Sequence, residues 1–249
     1  MIRVFVSPSA IEGDCLALGG EAARHVGGAL RARPGEELIA VTPDGIEHLC
    51  KVESATPQSV MAIVLSSSPS RREPSRQVRL CQALLKGDQF EDILEYGSEL
   101  GVTSFQPLLT ERTVARPDAE RLLQRQDRWS RICQQGAELA QRGKVPVVLP
   151  AGDLRQALET AAADGLNVLL LYEGTGLPSL SASMPAAGGV CLVVGPEGGW
   201  SDDEVMLAAQ VGALAVTLGP RITRPLPAGL AAVTIALDRS GDLVLEEKD

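Results

Sequence analysis

Hydrophobic positions along the chain follow two regimes. Short runs rich in Val, Ile and Leu come first, namely Ile2 to Val6, Glu37 to Val41, His48 to Val52 and Val60 to Leu65, separated by turn signals such as Pro34-Gly35 and Pro43-Asp44-Gly45. This spacing predicts a small barrel or sandwich of short strands, with one short helix around Gly20 to Leu30. From Val78 onward the period alternates between strand and helix. Val78 to Leu85 and Ser104 to Leu109 read as strands, and Asp88 to Leu100 as a helix with Phe90, Ile93, Leu94, Gly97 and Leu100 on one face. Helices follow at about Asp118 to Gln141 and Leu154 to Ala163. Three apolar strands then close the pattern, Asn167 to Glu173, Val190 to Gly195 and Ala213 to Leu218. Such alternation calls for an α/β domain with a mostly parallel sheet covered on both faces.

Between the two regimes lies Ser66-Ser-Ser-Pro-Ser-Arg-Arg-Glu-Pro-Ser-Arg76, which holds no apolar side chain. It predicts a linker, so that residues 1–66 form the barrel, 67–76 the connection and 77–249 the α/β domain. The end of the chain from Asp238 holds five acids and two bases and is expected to be an exposed, frayed tail.

Composition narrows the function classes. The chain has 249 residues, 45% of them hydrophobic, enough to build a core without staples. Its five cysteines include no Cys-x-x-Cys pair, and His25 and His48 are the only histidines, so no zinc-ligand spacing can be assembled. Buried, reduced thiols in a cytoplasmic protein are expected. The start runs straight into a strand pattern without the apolar stretch of a secretory signal, and no apolar run reaches the length of a membrane span. A net charge of -9 argues on its face against a nucleic-acid partner. Regionally it divides: residues 1–76 carry eight bases and nine acids, whereas Arg112 to Lys144 holds eight bases against four acids. Phosphate contact needs only such a local patch.

The candidate chemistry lies in three loops, each following one of the last three strands: Tyr172-Glu173-Gly174-Thr175-Gly176, Gly195-Pro196-Glu197-Gly198-Gly199 and Leu218-Gly219-Pro220-Arg221. Ligands bind at the carboxyl ends of strands in open α/β sheets, so three glycine-bearing ends predict one composite pocket. Neither a Gly-x-Gly-x-x-Gly after the first α/β strand nor a Gly-Lys-Ser/Thr is present. Ser201-Asp202-Asp203-Glu204 fits a capping box, starting a helix directly behind the second loop. Its acidic first turn disfavours a phosphate and suits a ligand of positive character, which the Glu197 carboxylate could face.

The string Leu192-Val-Val-Gly-Pro-Glu-Gly-Gly-Trp-Ser201, followed by Leu218-Gly-Pro-Arg-Ile222 and Arg224, resembles the cofactor site of the knotted SPOUT methyltransferases. Within them it is most similar to the family that methylates N3 of a uridine in bacterial small-subunit (16S) ribosomal RNA. Lys86-Gly87-Asp88, Glu99-Leu100-Gly101-Val102, Glu111-Arg112, Arg142 with Val145-Pro146, and in the first domain Arg24-His25, Leu30-Arg31 and Pro34-Gly35 extend the resemblance along most of the chain. It implies a PUA-like barrel for RNA, a trefoil-knotted α/β domain, S-adenosylmethionine as methyl donor, no metal, and a homodimer acting on ribosomal RNA or the assembled 30S subunit. By motif position, Tyr172, Glu173, Gly195, Pro196, Glu197, Gly198, Gly199, Leu218, Gly219 and Ile222 would bind the cofactor. Arg221 and Arg224 would act on the base, and Arg24, His25, Arg31, Lys86, Arg112 and Arg142 would contact RNA.

The chain also departs from that family. Pro225-Leu226-Pro227 stands where Thr-Glu-Thr is common, Gly28 and Tyr96 stand in place of an Arg and a Lys, and Leu139 in place of a Gln. Each departure removes a polar group. Two other readings therefore stay open: an RNA-binding or ribosome-assembly factor that keeps the cofactor pocket, and an α/β enzyme using another nucleotide.

Overall fold

Strict alternation shapes the first sheet. In the strand Cys15–Gly19, Leu16 and Leu18 are buried while Cys15, Ala17 and Gly19 face outward. The computed structural model describes residues 1–244, and its first compact unit comprises residues 1–73 and 137–145. In chain order this unit holds β1 (Ile2–Phe5), β2 (Ile11–Glu12), β3 (Cys15–Gly19), α1 (Gly20–Ala23), which continues as a wider π turn over Arg24–Ala29, β4 (Glu37–Val41), β5 (Ile46–Ala55) and β6 (Ser59–Pro69). The sheet order is β1-β4-β5-β6-β3-β2, with β1 parallel to β4 and every other pair antiparallel. Val4, Leu16, Leu18, Val26, Leu38, Cys50, Val52 and Val60 form its core. The sequence pattern found β1, β4, β5 and β6 but missed β2, which is two residues long, and β3, whose inward Leu16 and Leu18 alternate with the small residues Cys15, Ala17 and Gly19 rather than with polar ones.

The predicted linker is corrected. Strand β6 runs to Pro69, with Ser66, Ser67, Ser68 and Pro69 opposite Leu49, His48, Glu47 and Ile46. Beyond it, Glu73 receives hydrogen bonds from Arg142 Nη2 at 2.7 Å and from the backbone N–H groups of Gly143 and Lys144. Arg3 in turn donates to the Arg142 carbonyl and to Glu47. Burial pushes the Glu47 carboxyl up, but the hydrogen bond from Arg3 and the charges of Arg3 and Arg72 outweigh it and hold the group below its ordinary value. The stretch lacks apolar residues because a polar network organises it. A composition test cannot separate that from solvation.

The second unit comprises residues 74–136 and those from 146 onward. Its elements are β7 (Val78–Ala83), α2 (Gln89–Leu100), β8 (Ser104–Leu108), α3 (Ala119–Leu139, whose last three residues fall in the first unit), β9 (Val147–Val148), α4 (Leu154–Ala163), β10 (Asn167–Leu171), α5 (Leu180–Ser183), β11 (Val190–Val194), α6 (Asp202–Gln210), β12 (Leu214–Val216) and α7 (Pro225–Arg239). All six strands are parallel in the order β12-β10-β11-β7-β8-β9, which is consistent with the knotted path the resemblance implies. Strands β7, β8 and β11 are buried at every position, as a sheet covered on both faces requires. On one face Cys81, Cys191, Val193 and Leu170 pack with Leu158 of α4 and Ala208 of α6. On the other, Leu80 and Gln82 meet α7 at Gly229, where an added Cβ would come within 2.9 Å of Gln82 Oε1. The small-residue run Ala228 to Leu237 therefore serves contacts within the chain, against β7, β11 and α2.

Two further expectations change. Cys50, Cys81, Cys133 and Cys191 are buried, but Cys15 is exposed because it occupies an outward position of β3. The acidic end is not frayed from Asp238: α7 continues through Arg239, and the Asp242 carboxylate accepts hydrogen bonds from Ser75 and Ser240. Residues 245–249 of that tail lie outside the described residues.

Candidate active site

Strands β10, β11 and β12 are neighbours or near neighbours in one parallel sheet, so their carboxyl ends open on the same side. Their following loops line a single cleft of about 1110 Å³, completed by Lys86 from the β7–α2 connection, Gln89 at the start of α2 and Ala228 of α7. That is a large volume for a small-molecule site. Tyr172, Glu173, Gly195 through Gly199, Leu218, Gly219 and Ile222, the ten residues assigned above to a cofactor, all line it, as do Arg221 and Arg224.

The β11 loop is held from every side. Trp200, 6% exposed, packs its ring against Gly195 and donates its indole N–H to the Leu171 carbonyl at 2.9 Å, joining the ends of β10 and β11. Glu197 accepts the backbone N–H of Lys86 at 3.0 Å. One oxygen of Glu197 thus ties down the β7–α2 connection. Arg112 Nη1 donates to the Gly198 carbonyl at 3.0 Å. Gly199 has φ +68°, a conformation that a side chain would strain. Behind it the capping box of α6 is complete: Ser201 Oγ accepts from Glu204 N, and Glu204 Oε2 accepts from Ser201 N.

The β12 loop is built differently. Thr217 Oγ1 accepts from Gly219 N at 3.1 Å and fixes the turn at Gly219, whose φ is +110°. After it, residues 219–224 are all exposed, Ile222 to 84%. Among the described residues the Arg221 and Arg224 side chains have no hydrogen-bond or ion-pair partner, so both guanidinium groups are available to a ligand. Arg224 is also the N-cap residue of α7, and Pro225 and Pro227 fall in that helix's first turn, where backbone N–H groups lack intrahelical partners anyway. The Pro-Leu-Pro departure thus preserves the helix start while removing polar side chains.

Three of the six residues assigned to RNA take other duties. Arg142 is buried and ion-paired with Glu73 at 2.7 Å, which corrects its assignment as a phosphate contact. Arg112 is exposed but spends one nitrogen on Gly198. His25 lies 3.8 Å from the Glu138 carboxylate. Lys86 lines the cleft, and Arg24 and Arg31 are exposed in the first unit, Arg31 with φ +55°. The basic stretch from Arg112 to Lys144 is likewise partly engaged, since Arg116 binds the carbonyls of Thr110, Glu111 and Thr113, Arg121 pairs with Asp118 and Arg128 with Glu91. Sequence reasoning missed Trp200 as the bridge between strands and Glu204 as a partner of the β8 loop. The signal for Trp200 was its position directly after Gly198-Gly199; that for Glu204 stopped at the cap.

Comparisons with known proteins agree with this architecture. A family model described as an RNA methyltransferase domain matches residues 71–237, and one described as an RNA methyltransferase PUA domain matches residues 18–65. Proteins named ribosomal RNA small subunit methyltransferase E are similar along most of their length: that of Mycobacterium bovis is 34% identical over 86% of this chain and 82% of its own, and that of Bacillus subtilis 29% over 90% of each. The crystal structure of the Neisseria gonorrhoeae enzyme of that name, bound to S-adenosyl methionine, superposes with a TM-score of 0.84 and 29% identity over 94% of this chain and 95% of that one. With a glycine-lined cleft at the strand ends and a family match over two thirds of its length, the chain belongs to the RNA methyltransferase domain family.

Proposed function

We propose that this protein methylates N3 of a uridine in small-subunit ribosomal RNA, with S-adenosylmethionine bound in the cleft. One observation carries the reading: a pre-shaped glycine-loop cleft at the ends of β10, β11 and β12 has on its rim two arginines, Arg221 and Arg224, that are unpaired among the described residues. The residues present suit the donor. The cleft offers Leu171, Val194 and Leu218 beside exposed loop backbone, and the carboxylates of Glu173 and Glu197 favour a ligand of positive charge. Asp202 and Asp203 at the start of α6 disfavour a phosphate, which speaks against a phosphorylated nucleotide.

When bound, the donor supplies an electrophilic methyl on a sulfonium. The chain's own residues supply position and charge. Holding the uracil in line with the methyl can contribute about 7 to 11 kcal/mol of the barrier through orientation. N3 must lose its proton to become nucleophilic, and Arg221 and Arg224 stabilise the resulting negative charge; a planar guanidinium meets the planar acceptors of a uracil well. In this reading Arg24, His25 and Arg31 of the PUA domain, with Lys86 in the cleft and Arg112 beside the β11 loop, contact phosphates. The protein works in the cytoplasm as a homodimer, and the assembled 30S subunit is the substrate. Binding to unstructured RNA is weak and falls with ionic strength.

The decisive experiment is mass spectrometry of nucleosides from small-subunit RNA of a deletion strain, with and without the gene restored. N3-methyluridine should vanish on deletion and return on complementation. Methylation that persists in the deletion strain, with ribosome assembly impaired, would favour the assembly-factor reading, which the Pro225-Leu226-Pro227 departure motivates.

A further inference from the structure

Glu204 does more than cap a helix. The N3 carboxylate of a capping box needs only to accept the N-cap N–H, and it does so in the first turn at a helix surface. Here the side chain is 9% exposed, and its second oxygen, Oε1, accepts the backbone N–H of Glu111, 93 residues earlier, at 2.8 Å. No ion pair to Glu204 occurs among the described residues; the buried carboxylate is held by backbone N–H groups, Ser201 on one oxygen and Glu111 on the other. Such charge-assisted bonds are about twice as strong as neutral ones, and this pair fixes the distance between the turn after β11 and the turn after β8.

The turn so fixed is stiff. Thr110 and Thr113 are buried and joined through their hydroxyls at 2.8 Å, and Arg116 caps the carbonyls of Thr110, Glu111 and Thr113. From this turn Arg112 reaches the Gly198 carbonyl, and its Cβ sits 3.1 Å from where a Gly198 Cβ would lie. Glu111 and Arg112 are adjacent. A carboxylate behind the glycine loop therefore sets the residue that grips the loop from the front.

We propose that Glu204 is a positioning residue of the methyl-donor site, acting through Glu111 and Arg112 to hold the Gly198 peptide in the conformation that receives the donor. This rests on the reading of the cleft as a donor site. Calorimetry with S-adenosylmethionine on the full chain should show Glu204→Gln weakening binding about tenfold, the loss expected when one buried charge-assisted bond is exchanged for a mismatch. Ser201→Ala removes the cap hydroxyl but leaves the Glu111 contact, so it should lower Tm and keep Kd within about twofold. Arg112→Ala leaves the helix untouched and should weaken binding by a similar factor, and adding Glu204→Gln to it should cost little more because both act on one link. Hydrogen exchange of the Glu111 amide in the unliganded protein should speed up in Glu204→Gln and not in Ser201→Ala. Unchanged donor affinity in a folded Glu204→Gln protein, or losses that simply multiply in the double variant, would overturn the proposal. Failure of the unmutated protein to bind S-adenosylmethionine would overturn the donor reading instead. It is told apart because the Glu111 exchange still reports on the clamp.

Discussion

Two loops of one cleft are built on opposite principles. The loop after β11 is gripped by Trp200, Glu197, Arg112 and the capped start of α6, and these grips reach the end of β10, the β7–α2 connection and the turn after β8. The loop after β12 is anchored at Thr217 and Gly219 and then projects Arg221, Ile222 and Arg224 into solvent without partners among the described residues. The first arrangement removes conformational freedom before a ligand arrives, which raises affinity for a small rigid molecule. The second leaves side chains free to meet a surface that differs in shape from the cleft, as a folded RNA does. On the function proposed above, the gripped loop suits the donor and the free arginine side chains suit the acceptor.

That contrast can be broken most forcefully at Trp200. Trp200→Ala removes a buried ring and the indole bond to Leu171, and should cost about 3 to 5 kcal/mol in chemical denaturation while abolishing measurable donor binding; a loss below about 1 kcal/mol would mean that the β11 loop is not locked by packing. Arg224→Ala tests the other side. It should lower methyl transfer about a hundredfold with the donor Kd unchanged, and an equal loss of both would place Arg224 in the donor site. Gly219→Ala probes the one anchor of the open loop, where φ +110° should make the substitution cost about 1 to 2 kcal/mol of stability. At the smallest end, Ile222→Ser should leave stability within about 0.5 kcal/mol, because the side chain is 84% exposed. A large destabilisation there would show that the β12 loop is covered in the free protein.

Much of this was legible beforehand, and the reasons differ by element. The bounds of β4 and α4 follow the residues closely, since Leu38 to Val41 is an apolar run bounded by Pro34-Gly35 and Pro43-Asp44-Gly45 and Asp153 supplies an N-cap for Leu154–Ala163. The capping box at Ser201 was readable because its two bonds span three residues. The polar stretch after Leu65 was misread for the opposite reason: Glu73 finds Arg142 and the N–H groups of Gly143 and Lys144 some 70 residues away, and no local pattern records such a partner. Arg142 itself looked like a free cation in a basic region, and the same distant pairing takes it out of play. Cys15 looked like its four buried counterparts until the register of β3 turned it outward.

The two regimes of the fold, the glycine loops and their order, and the family resemblance can all be read along the chain, because periodicity, turn residues and short motifs are properties of neighbouring residues. Which charged groups are spent depends instead on contacts between distant segments. Arg142, Arg116 and Glu204 are committed to internal contacts, whereas Arg221 and Arg224 have no side-chain partner among the described residues. A charged side chain reads the same in sequence whether it faces water, a ligand or a distant backbone amide; its role is fixed by what the fold brings within about 3 Å, where hydrogen bonds form.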